Sequence, residues 1–93
     1  MEKVISINNQ EKDLILALFH RLENWNFDTA GSHAITLSNL GILSEEDTED
    51  IESFAKAFGN CGQISGVLGS VIYCGVQNLI HRIESATKLT YER

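Results

Sequence analysis

The chain has no proline among its 93 residues. With the strongest helix breaker missing, an all-helical fold is favoured over one built from many tight turns. Cations are also scarce: seven Lys and Arg stand against thirteen Asp and Glu, for a formal charge of −6. No basic stripe exists to neutralise phosphates, which argues against direct nucleic-acid binding. Cysteine is limited to Cys61 and Cys74. On one helix these would lie about 20 Å apart, whereas a disulfide needs Cα atoms within about 7 Å. Two free, buried thiols are therefore the expectation. The N-terminal run MEKVISINNQEKDLILALF does not read as a secretory signal, because Glu11, Lys12 and Asp13 interrupt it. Unbridged cysteines without an export signal point to the reducing cytoplasm.

Charge is missing altogether from GNCGQISGVLGSVIYCGVQNLI, residues 59–80, a stretch that also holds five glycines. The longest apolar core inside it, Ile64 to Val76, is too short for a membrane span, which needs about 20 apolar residues. The spacing of Gly62 and Gly66 matches the GxxxG of membrane helix dimers but lacks the length that would give it meaning.

What is present fits a single small globular domain, with 43% apolar and 22% charged residues. A chain this short buries only about 60–65% of its unfolded surface, so a lone copy would be marginally stable.

The periodicity predicts three to four helices. Asn8 and Glu11 have capping-box spacing before Leu14, Ile15, Leu18, Phe19, Leu22 and Trp25, which recur on one face of a helix over about 10–25. NFDTAGS reads as a loop. SHAITLSNLGIL fits a short helix over about 33–40, capped by Ser32 and stopped by Gly41, better than a lone strand with unpaired backbone groups. Ser44 opens a helix over 45–58, with Ile51, Phe54, Ala55 and Phe58 as its inner face and Gly59 as its end.

A last helix over about 62–87 carries Ile64, Val67, Leu68, Val71, Ile72, Val76, Leu79, Ile80, Ile83 and Ala86 on one broad side. Gly62, Gly66, Gly69 and Tyr73 fall together on the other. Each interior glycine costs roughly 0.5–1 kcal/mol relative to Ala, so the wedge calls for a compensating close approach. A helix with no charged face is expected to be buried on all sides. The other helices can cover its aliphatic side, and a second copy would cover the glycine side. The expected architecture is thus a small all-α bundle with a long buried C-terminal helix, forming a homo-oligomer, most simply a dimer.

Six of the thirteen acids lie in SEEDTEDIE: Glu45, Glu46, Asp47, Glu49, Asp50 and Glu52. They favour the positive end of a helix dipole, and they also form a patch that could face a basic protein. Two segments, LFHRLEN at 18–24 and LIHRIES at 79–85, resemble each other. Their His-x-x-Glu spacing is the reverse of the Glu-x-x-His order in di-iron bundles, and no metal site or cofactor is expected. Cys61 has no positioned base at a known spacing, and GNCGQISG lacks the Lys-Ser/Thr of a P-loop.

With no catalytic constellation in view, the expected function is non-enzymatic. The chain reads as a regulatory or inhibitory interaction module, a homo-oligomer whose acidic helix start meets a basic partner. The alternative is a small-molecule or nucleotide binder using Gly62, Ser65, Gly66, Ser70 and Tyr73.

Overall fold

Two helix ends in this chain close by the same device, one with the residue that suits it and one without. The computed structural model describes residues 7–60 and 64–89, and these form four helices: α1 (Asn9–Glu23), α2 (Phe27–Asn39), α3 (Glu45–Phe58) and α4 (Gly66–Thr87). After α2, the Gly41 amide donates to the Ser38 carbonyl (3.0 Å) and the Ile42 amide to the Leu37 carbonyl (3.0 Å), with Gly41 at φ 76°. This is a Schellman cap with glycine at the left-handed position. After α1 the same pair of bonds recurs: Trp25 donates to Leu22 (3.1 Å) and Asn26 to Arg21 (2.9 Å). Here the left-handed residue is Trp25, at φ 58°.

The capping box predicted for α1 is present, with the Glu11 amide donating to Asn8 Oδ1 (2.8 Å) and the Asn8 amide to Glu11 Oε1 (2.9 Å). Ser44 likewise caps α3, accepting from the Asp47 amide at 3.1 Å.

The second helix differs from its sequence reading. It covers Phe27–Asn39, so NFDTAGS is mostly helix rather than loop, and Ser32 sits inside it, its hydroxyl donating to the Asp28 carbonyl (3.4 Å). Asn26 precedes α2 but makes no side-chain cap. The first amides of α2 are instead satisfied from the end of α3: Phe27 donates to the Gly59 carbonyl (3.1 Å) and Asp28 to Asn60 Oδ1 (3.1 Å). The cap is supplied from a distant part of the chain, which is why local spacing does not reveal it. Gly31 is tolerated in this helix on the face toward α3, where a β-carbon would lie 3.8 Å from Ala55 Cβ.

The core joins Ile15, Leu18, Phe19 and Leu22 of α1, Phe27, Ala30, Ala34 and Leu37 of α2, Ile51 of α3 and the α4 residues Ile72, Val76, Leu79, Ile80 and Ile83. Phe27 stacks on Phe54 at 5.0 Å between ring centroids. The radius of gyration is 12.7 Å, near the value of about 12 Å for a compact chain of this length. No helix among the described residues is long and apolar enough to cross a membrane.

The last helix starts at Gly66, not near 62. Gly66 has φ 88°, in the left-handed region, and the Ile64 carbonyl lies against Gly69. The expectation of burial on all sides fails for its first two turns, as described next. Residues 1–6, 61–63 and 90–93, among them Cys61 and Gly62, lie outside the described residues.

Candidate functional site

Positions 67, 71, 74, 78, 81 and 85 stand three or four apart on α4 and form its outer stripe, all exposed. In an ordinary amphipathic helix that stripe is polar throughout. Here its C-terminal half is polar, with Asn78, His81 and Ser85, and its N-terminal half is Val67, Val71 and Cys74. Val67 is 84% exposed and Val71 63%, with Leu68 (50%) beside them, whereas Tyr73 (57%) is exposed on another side of the helix. The chain thus presents a contiguous apolar patch at one end of its last helix, the kind of surface that marks an interaction site. Ile35 on α2 and Leu40 at its C-cap are also exposed.

This reverses part of the sequence reading. Val67, Leu68 and Val71 were expected on the covered side, and they face outward. Gly69, expected in an outward wedge, is buried, and a β-carbon there would overlap the Ile64 carbonyl and approach Trp25 to 3.7 Å. Cys74 is exposed rather than buried. The pattern rule failed because the first turns of α4 turn one side inward, with Gly69 and Ile72 buried, and leave the other side of a uniformly apolar segment exposed. Comparing the two halves of the outer stripe would have found the patch.

The acidic start of α3 is divided by α4. Glu45, Glu46, Glu49 and Glu52 face solvent, whereas Asp47 is half-buried and lies 3.3 Å from Arg82 Nη2. The same guanidinium nitrogen donates to Asp50 Oδ2 at 2.8 Å. One cation from the far end of the chain therefore holds two of the six acids, and α3 runs antiparallel to α4 beneath this clamp. A second tie comes from Gln77, whose Nε2 donates to Glu23 Oε1 at 3.1 Å.

Gly66, Gly69, Ser70, Tyr73 and Cys74 line an open groove of about 440 Å³ together with Trp25 and Ile64. Three of the residues expected around a ligand, Gly66, Ser70 and Tyr73, therefore share one surface depression. Trp25, whose sequence position suggests core packing, is part of its lining.

His81 Nδ1 stands 3.3 Å from Glu84 Oε1, the contact that their spacing predicts. Among the described residues no group of three or more His, Cys, Asp or Glu side chains is placed to hold a metal ion. No protein-family model matches the chain, and no curated protein or solved structure does so at a significant level.

Proposed function

We propose that this chain is a non-enzymatic, regulatory or inhibitory protein-interaction module that works as a homo-oligomer, most simply a dimer. The observation that carries this reading is the exposed cluster of Val67, Leu68 and Val71 at the start of α4. Such a patch on so small a chain is relieved by pairing with its own copy across a two-fold axis, where one surface serves both subunits. The glycine wedge cannot be the whole contact, since Gly69 is used inside the chain; the aliphatic outer stripe takes its place. The exposed acids Glu45, Glu46, Glu49 and Glu52 then remain available to steer a basic partner. Cytoplasmic placement belongs to the same reading and is supported by Cys74, an exposed free thiol.

Light scattering at low and high concentration tests the assembly. A dimer mass is expected, and Val71→Glu should weaken it by about a hundredfold or more, given about 1.5–3 kcal/mol for each buried Val. A monomer at all concentrations would overturn the assembly.

A second reading, a small-ligand binder, is supported by the groove beside Trp25. A ligand there at 100 times its dissociation constant would add about 2.7 kcal/mol to stability. A thermal-shift panel of nucleotides and anionic metabolites that moves nothing would remove it.

A further inference from the structure

We propose that the cleft between α3 and α4 is the docking site for a basic amphipathic helix of a partner protein. The proposal rests on the reading of the acidic α3 start as a partner surface, and it names the contact that gives that surface specificity.

The cleft holds about 470 Å³. Its apolar floor is Phe54 and Phe58 from α3 and Leu79 and Gly75 from α4. Gly75 matters because it lets the Phe54 ring lie directly against α4, which sets the ring at the bottom of the cleft. Phe54 and Phe58 are half-buried, not sealed in the core. The lining runs along α3 from Asp50 to Phe58, about 12 Å at 1.5 Å per residue. That is a little over two helical turns, enough for the apolar anchors at i, i+3 or i+4, and i+7 by which helices are read in grooves.

Charge selects the sign of the partner. Asp50 and Arg82 stand at the rim, and Arg82 is already committed to Asp50 and Asp47. Glu46 is exposed one turn before Asp50 on the same side of α3. Three acids against one satisfied base leave that end of the cleft negative, and the chain as a whole carries −6. A helix whose apolar stripe is flanked by Lys or Arg complements both features. One flanked by Glu meets like charge beside a low-dielectric floor.

The test uses the full chain and labelled peptides of about 18 residues, long enough to present that anchor spacing. One peptide has Leu at i, i+3, i+4 and i+7 with Lys on its polar face. The second replaces Lys with Glu, and the third scrambles the first. Fluorescence anisotropy should show saturable binding of the Lys peptide at least about tenfold tighter than either control. Ser53→Trp and Asn78→Trp, exposed positions on opposite walls of the cleft, should each reduce that affinity about tenfold or more while circular dichroism stays unchanged. Equal binding of the scrambled peptide would overturn the proposal, and so would no saturable binding of the Lys peptide. If both Trp variants leave affinity intact but Glu45→Lys with Glu49→Lys removes it, the acidic surface stands and the cleft falls. Self-association abolished by Asn78→Trp would assign the cleft to a second copy and overturn the partner-helix proposal.

Discussion

A β-carbon on Gly75 would lie 2.9 Å from Cζ of Phe54, so the glycine is the notch into which the α3 ring fits. Gly69 occupies a tighter place, because the atom against it is the Ile64 backbone carbonyl, which cannot swing aside as a ring can. Gly69→Ala should therefore lower stability by about 1–3 kcal/mol, the range for overpacking. Gly75→Ala should cost less than about 1 kcal/mol, since the ring can shift and Ala gains helix propensity. Urea titrations of the two variants would check the order, and a Gly75→Ala cost above that of Gly69→Ala would contradict it.

Gly31 is the contrasting case. A β-carbon there meets Ala55 Cβ at an ordinary 3.8 Å, and the residue sits within α2. Gly31→Ala should stabilise the fold by about 0.5–1 kcal/mol through lower unfolded-state entropy. A rise in thermal midpoint is the expected result.

The borrowed cap of α2 can be removed alone. Asn60→Ala deletes the acceptor for the Asp28 amide and should cost about 0.5–1 kcal/mol. Amide hydrogen exchange should accelerate at Asp28 while the α1 amides keep their protection. Uniform acceleration would mean that the cap holds the whole fold, not one helix end.

These ties explain what could be read from the sequence. The cap pairs Asn8–Glu11 and Ser44–Asp47 are local, and so is the stop at Gly41; all three were legible from spacing and residue type. The inner faces of α1 and α3 followed from their periodicity for the same reason. The cap on α2 joins residues 26–28 to 59 and 60, and no local rule detects an acceptor so far along the chain. Trp25 gives no sequence sign of a left-handed conformation, so periodicity carries α1 through it, past its end at Glu23. The candidate surface was half legible. The acids were plain, but their division by Arg82 depends on tertiary packing. The uncharged stretch pointed to an unusually apolar helix, yet hydropathy alone could not say that Gly69 turns inward while Val67 and Val71 turn out.

The Arg82 clamp should contribute modestly. Arg82 is about half exposed, and solvent screening limits such pairs to about 0.2–1 kcal/mol each. Arg82→Met, which retains the aliphatic stem, removes both pairs and should cost about 0.4–2 kcal/mol, less at high salt. A double-mutant cycle with Asp47→Asn and Asp50→Asn should give a larger coupling for Asp47, the more buried acid. Equal couplings would mean that the guanidinium shifts freely between the two.

Trp25 sets left-handed strain against burial. The indole is 5% exposed, and its backbone has the φ of 58° that glycine accepts without cost. Gly41 measures the strain in isolation, because it shares the cap geometry and a β-carbon there meets nothing within 4 Å. Gly41→Ala should cost about 1–2 kcal/mol, the penalty of the left-handed region. Trp25→Gly gains about that amount but loses a packed aromatic worth about 3–5 kcal/mol. It should therefore destabilise by about 1–4 kcal/mol. Because the chain has one tryptophan, the wild-type fluorescence can be read residue-specifically: emission should be blue-shifted and poorly quenched by acrylamide until unfolding. If Trp25→Gly proved neutral or stabilising, the indole would contribute no more than its backbone costs, and the neighbouring groove would owe its shape to the helix end alone.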